Sequence, residues 1–227
     1  RDHVRQLETA LAAKPLDASG AKTAGRPEPE PGDHATETEV IVRGLLKKAM
    51  EAEKAGNHEA ATWNYKQVLE YEPSHVTALQ RLGILAVQRG DIDSGVRYLQ
   101  KAFYEDPDDP DTLVPLGHAL VRQDRPDYAV SVLARAVAMN RNRSDLLTNL
   151  GVACNMLGWT DAAESQFRRA LKRNDSDREA AFNLSLLLSS RKPPEMEEAA
   201  EFYRRARELG LAADPELDRF FDYRPQT

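Results

Sequence analysis

One pattern of small and large residues returns every 34 residues along most of this chain, and such a period belongs to stacked copies of a single unit. Ala61, Gly95, Ala129 and Ala163 form one column. Four residues after each comes a large side chain, Tyr65, Leu99, Leu133 and Phe167; three further on come Val68, Ala102, Ala136 and Ala170. Upstream in the unit, Leu82-Gly83, Leu116-Gly117 and Leu150-Gly151 share a phase. Leu45, Leu79, Leu113 and Leu147 stand three residues ahead of that phase.

The spacing inside each unit is helical. Leu79, Leu82 and Ala86 share one helix face, and Gly95, Leu99 and Ala102 share a second. Between the two lie turns: Gly56-Asn57, Gly90-Asp91, Asp124-Arg125-Pro126 and Gly158-Trp159. Glycine there permits a left-handed helix ending, and a polar residue after it can cap the next helix. Pro73 and Pro107 stop the second helix, with Ser74 and Asp109 as expected caps of the next unit. Each unit is therefore a helical hairpin, its small residues permitting close approach and its large ones filling the space beside them.

These columns resemble the tetratricopeptide repeat family, whose motif runs Trp/Leu, Leu-Gly, Ala, an aromatic, Ala and a closing Pro. The resemblance implies an all-α, right-handed superhelical solenoid of helical hairpins with a C-terminal capping helix. Repeats are placed at 42–75, 76–109, 110–143, 144–177 and 178–211 within a domain spanning 36–227. In the last repeat Ala199, Tyr203 and Ala206 arrive two residues late, the extra length falling at Lys192-Pro193-Pro194. Lys48 departs from the motif's Leu, and Arg141 and Asp175 from its closing Pro.

The ends carry their own signals. Thr36 and Glu39 are spaced as a capping box before Val40-Ile41. Asp214-Pro215 reads as an N-cap and first-turn pair, opening a capping helix over 214–223 with Leu217, Phe220 and Phe221 on one face. Residues 1–13 are expected to form a short helix or a coiled-coil remnant with Val4, Leu7 and Leu11 on a stripe. Residues 14–35 hold four prolines and three glycines and almost no large apolar residue, the composition of a disordered linker. The chain starts at Arg1 without a methionine or a signal-peptide pattern, so it is expected to be a fragment or a processed chain.

Composition narrows the chemistry. Charged residues make 30% of the chain, with 31 basic against 37 acidic, so the basic excess of a nucleic-acid binder is missing. No apolar run approaches the roughly 20 residues of a membrane helix. The single cysteine, Cys154, excludes an internal disulfide and a Cys-rich zinc site, and its position among Leu147 and Leu150 makes it a buried, inert thiol. The histidines 3, 34, 58, 75 and 118 show no metal-ligand spacing. The acidic run 106–111 holds two prolines and lacks the closing glutamate of a calcium loop, so it reads as an inter-repeat turn. Three Asn-x-Ser sequons, at Asn142, Asn174 and Asn183, would matter only in a secreted eukaryotic protein. No phosphate-binding loop or nucleophile–base constellation appears. No enzyme activity, metal or cofactor is expected.

The remaining functional surface is the one the resemblance implies, the inward face of the first helix of each hairpin. Its second positions bring Asp111, Asp145 and Glu179; its fifth, Leu46, Gln80, Val114, Thr148 and Phe182. Its sixth bring Asn149 and Asn183, whose amides can pair with a peptide backbone. Its ninth bring Ile84, His118, Val152 and Leu186, and its twelfth Val87 and Val121. Pro115 removes a helical hydrogen bond there and is expected to kink its helix. An apolar floor with an acidic edge fits an apolar peptide or helix carrying basic residues, held by an adaptor or scaffold. The carboxylate clamp that some family members use for chaperone C-termini has no counterpart here: Leu46, Met50, Arg81, Asp111 and Pro115 stand in its places.

Three other arrangements fit the same residues. The 1–13 segment can occupy the groove itself, an upstream region can oligomerise the chain, or the repeats can serve an enzyme whose catalytic part lies outside this sequence. The preference for arginine over lysine reads as bacterial, which leaves cytoplasm and envelope or periplasm both open.

Overall fold

In the computed structural model, residues 36–140 and 142–224 are described; the expected 1–13 helix and 14–35 linker lie outside them. The described residues form eleven α-helices and no strand. These are α1 (Glu37–Lys54), α2 (His58–Tyr71), α3 (Val76–Gln88), α4 (Ile92–Glu105), α5 (Pro110–Arg122), α6 (Pro126–Met139), α7 (Ser144–Met156), α8 (Thr160–Arg173), α9 (Arg178–Ser189), α10 (Met196–Glu208) and α11 (Pro215–Phe220). They divide into two compact units, 36–119 and 120–224, with the division inside α5.

In the first unit α1 pairs with α2 and α3 with α4, and α2 lies against α3. Thr36 opens α1 with the expected capping box: its hydroxyl accepts from the Glu39 amide at 3.3 Å, and its own amide donates to Glu39 Oε2 at 3.0 Å. Asn57 and Asp91 cap α2 and α4 through their carboxamide and carboxylate oxygens. The turn glycines 56 and 90 have φ of 75° and 87°, a conformation costly for residues with a Cβ. The cap of α3 is His75, whose Nδ1 accepts from the Ala78 amide at 3.4 Å; the expected cap, Ser74, bonds Glu105 at 2.7 Å instead. The helix of Pro110 starts as expected on Asp109, and α5 runs as helix through Pro115.

The second unit repeats the scheme. α6 lies on α7, α7 on α8, α8 on α9, and α9 on α10. The large column is buried throughout: Tyr65, Leu99, Leu133 and Tyr203 are 0% exposed and Phe167 1%. Its partner across the hairpin is the Leu-Gly glycine. A Cβ on Gly83 would stand 2.5 Å from Leu99 Cγ, and one on Gly151 would stand 2.6 Å from Phe167 Cε1. The glycine is thus the recess into which the large side chain of the neighbouring helix fits.

Two members of the large column carry a hydroxyl, and both solve its burial in the same way. Tyr65 Oη donates to Glu53 Oε2 at 2.9 Å, and Arg81 holds the other Glu53 oxygen at 3.2 Å. Tyr203 Oη donates to Asp218 Oδ1 at 2.8 Å, with Arg207 Nε 3.0 Å from the same oxygen. Burial, and then the neighbouring carboxylate, raises both phenols well above the ordinary tyrosine range. A folded-state pKa above the unfolded value contributes stability below pH 10 that is lost as pH rises further. Alkaline unfolding is therefore expected to steepen above pH 10, and the Tyr65→Phe/Tyr203→Phe double variant to flatten that slope. Denaturant midpoints measured from pH 8 to 11.5 check it; parallel slopes for the two proteins would refute it.

The C-terminal helix begins on Asp214, whose carboxylate accepts from the Glu216 and Leu217 amides. Of the three residues expected to cover the last hairpin, Phe221 is 5% exposed and stacks on Tyr203 at 4.5 Å, and Leu217 is half-buried. Phe220 is instead 55% exposed, with an edge-on contact to Phe221. Phe221 is the C-cap just past the last helical residue and is the ring seated on Tyr203, which leaves Phe220 on the exposed side.

Candidate functional site

The first helices of the hairpins, α1, α3, α5, α7 and α9, carry the residues expected to form the working surface. In the first unit Ile84 and Val114 are half-buried and His118 and Asp111 exposed. Met50, on α1, is 52% exposed beside a depression lined by Glu51, Glu53, Lys54 and Arg81. In the second unit Val121, Asn149, Val152, Phe182, Asn183 and Leu186 are half-buried, and Asp145 and Glu179 exposed.

Val87 does not belong to that surface. It is 8% exposed, and its Cγ2 lies 2.4 Å from where a Cβ on Gly95 would be. Gly95 occupies a column that is otherwise alanine, and the missing methyl leaves a hole that Val87 fills. That glycine was the signal in the sequence, and its consequence lies one helix away.

Two further inward positions are consumed by packing between hairpins. Gln80 Nε2 donates to Thr112 Oγ1 at 2.7 Å and also to Asp109 Oδ2, while Thr112 Oγ1 donates to Asp109 at 2.8 Å. In the second unit Thr148 Oγ1 donates to Asp177 Oδ2 at 2.9 Å. In both cases a fifth-position side chain clasps the carboxylate that opens the next hairpin. Gln80 is 8% exposed and Thr148 4%, so neither is offered to a ligand.

The acidic edge is partly answered by the chain's own arginines. Arg143 binds Asp145 through Nε at 3.1 Å and Nη2 at 2.5 Å, and Arg178 stands 3.7 Å from Glu179. Exposed pairs of this kind are worth about 0–1 kcal/mol and can be exchanged for a partner's cation. Asn183 Nδ2 donates to the Glu179 carbonyl of its own helix at 2.8 Å, so one amide donor is already engaged. Asn149 and Asn183 therefore do not act as equivalent rungs.

Other chemistry is sparse. Cys154 is fully buried, and burial pushes its thiol up to about 12, which keeps it protonated. Among the described residues no group of three or more His, Cys, Asp or Glu could hold a metal ion. No helix of the described residues is long and apolar enough to cross a membrane. A dense charge cluster joins α8, α10 and the turn between α9 and α10. Arg168 binds Glu164 at 2.6 Å and Glu198 at 2.8 Å, while Arg191 binds Glu195 at 2.8 Å and also Glu164. Arg168 holds the Glu198 carboxyl below its ordinary range. This network ties the late-phased α10 and the turn before it to α8, and sequence spacing did not reveal it because Arg191 lies in a turn.

Models of the tetratricopeptide repeat match residues 52–113 and 157–216. Among curated proteins, a CTR9 homolog of Arabidopsis thaliana is 34% identical over 71 residues. That match covers 31% of this chain and 6% of the relative, so the chain spans only a small part of that protein's length. Among solved structures, the crystal structure of MamA protein superposes with a TM-score of 0.66 at 22% identity, covering 77% of this chain and 98% of that one. YrrB, described as a TPR protein with an unusual peptide-binding site, reaches 0.63 at 22% identity over 76% and 93%. A further MamA structure, MamA AMB-1 P212121, reaches 0.63 at 26% identity over 79% and 97%.

Proposed function

The chain belongs to the tetratricopeptide repeat family, and on that premise we propose that it is an adaptor or scaffold whose first-helix faces hold an apolar peptide or helix of a partner protein. Repeats of this family are typically non-catalytic interaction modules, and the fold supports a protein-interaction role. The carrying observation is a set of apolar side chains left half-buried on the first helices: Ile84 and Val114 in the first unit, and Val121, Val152, Phe182 and Leu186 in the second. Half-buried aliphatic and aromatic side chains still have apolar area to gain from being covered. Asp111, Asp145 and Glu179 offer anchors to basic residues of the same partner, Asn149 an amide for its backbone and His118 a further polar contact.

The test is substitution on this surface. Ile84→Arg and Val121→Arg each place a guanidinium where the partner's apolar groups must sit, at a side chain only half-buried in the free protein. Each is expected to weaken the partner complex about 100-fold or more, with helix content unchanged. The partner is first captured from source lysate with the full chain, then purified and titrated calorimetrically against wild type and both variants. Unchanged affinity in the two variants would remove the first-helix surface from the reading.

A further inference from the structure

The first helix of the array has a face that every later first helix buries. Positions 78, 79, 82 and 86 of α3 are Ala78, Leu79, Leu82 and Ala86, all at most 2% exposed. The equivalent positions of α9 are Ala180, Ala181, Leu184 and Leu188, all 0% exposed; those of α7, Leu146, Leu147, Leu150 and Cys154, are at most 1% exposed. In α1 the same positions hold Gly44, Leu45, Lys48 and Ala52. Gly44 and Lys48 are exposed there, and Leu45 and Ala52 only half-buried. A Cβ on Gly44 would meet nothing within 4 Å, whereas the side chains at its equivalent positions, Ala78, Leu146 and Ala180, are 0% exposed. A mid-helix glycine costs about 1 kcal/mol relative to alanine, and within the described residues nothing exploits the space it leaves. α1 also extends beyond the repeat by an extra turn, which adds Ile41, half-buried, and Val40, 57% exposed.

We propose that residues 1–13 of the same chain pack as an amphipathic helix on this open face of α1, supplying the stacking layer that a preceding hairpin supplies elsewhere. Val4, Leu7, Glu8 and Leu11 fall at the 3,4 spacing of one helix face. That face is apolar with a single acid inside it. The face of α1 formed by Ile41, Leu45, Lys48 and Ala52 is apolar with a single base inside it. Docking sets Glu8 against Lys48 and seats an apolar side chain over Gly44. The tether reaches: the 22 residues from 14 to 35 span about 26 Å as a flexible chain, and the 18-residue α1 is about 27 Å long. A tether of that length presents the segment at millimolar effective concentration, so a weak contact suffices. A second copy of the chain is a poorer occupant, because a two-fold contact on this face opposes Lys47 and Lys48 to their own copies. The placement leaves Ile84 and Val114 free for a partner, and so removes the 1–13 segment from the groove.

Hydrogen exchange of the full chain at low micromolar concentration tests this. Amides of residues 4–11 are expected to exchange about tenfold or more slowly than in the free peptide. Lys48→Glu is expected to abolish that protection, and the Glu8→Lys/Lys48→Glu pair to restore it. Gly44→Leu is expected to release the segment although leucine is the better helix former. Free-peptide rates in the unaltered chain would overturn the proposal. So would protection lost in Ile84→Arg but kept in Gly44→Leu and Lys48→Glu, which would place the segment in the groove. Protection that rises with protein concentration alongside a dimer in light scattering would assign the face to a second copy and overturn it as well.

Discussion

Phe167→Ala is expected to lower stability by about 3–5 kcal/mol, the range for removing a buried aromatic ring without full collapse of the cavity. Phe167 is 1% exposed and its ring fills the recess over Gly151. The same contact predicts a specific coupling. Gly151→Ala in the wild type forces a methyl to within about 2.6 Å of the ring, and overpacking of that kind costs about 1–3 kcal/mol. In the Phe167→Ala background the clash is gone, the methyl fills part of the cavity, and alanine gains about 1 kcal/mol of helix propensity over glycine. The double variant is therefore expected to be more stable than Phe167→Ala alone. Urea midpoints of the four proteins close this cycle; additive losses would show that the two side chains do not share one space.

Tyr203→Ala is expected to produce a loss of similar size, about 3–5 kcal/mol, focused on the C-terminal end. Tyr203 is fully buried, stacked on Phe221 at 4.5 Å, edge-on to Tyr223 at 6.1 Å and bonded to Asp218 at 2.8 Å. Phe221, Tyr223 and Asp218 lie in or next to α11, a helix of six residues that cannot persist by itself. Removing the ring takes away its docking partner, so α11 is expected to detach. Limited proteolysis should then cut between 209 and 215 at rates the wild type does not show. Tyr203→Phe keeps the ring and loses only the hydroxyl, leaving Asp218 to Arg207, and is expected to cost about 1 kcal/mol with α11 in place. Equal protease sensitivity in the two variants would mean that the hydroxyl, rather than the ring, holds the helix.

The contrast between Val87 and Val121 shows where local reasoning reaches its limit. Both occupy the twelfth position of a first helix, and by sequence they are interchangeable floor residues. Val87 is drawn under the surface because the facing column holds Gly95; Val121, where that column holds Ala129, stays half-buried. The same holds for Gln80 and Thr148. A polar residue on an inward position reads as a ligand contact, yet a carboxylate 29 residues later takes it up. Asn183 turned its donor onto its own helix, which no spacing rule encodes.

The sequence by itself determined the period, the pairing of helices into hairpins, the turn glycines, the capping box at Thr36 and the buried columns, including the late-phased Ala199, Tyr203 and Ala206. These are readable because each depends on backbone conformation within a turn or on contact between neighbours at a repeating distance. Only the tertiary structure decided which inward side chains remain available. It sealed Val87, Gln80 and Thr148, answered Asp145 with Arg143, and left the face of α1 around Gly44 and Lys48 uncovered by the described residues. Burial and hydrogen-bond satisfaction are set by whichever atom lies across the interface, and that atom belongs to another helix of the stack.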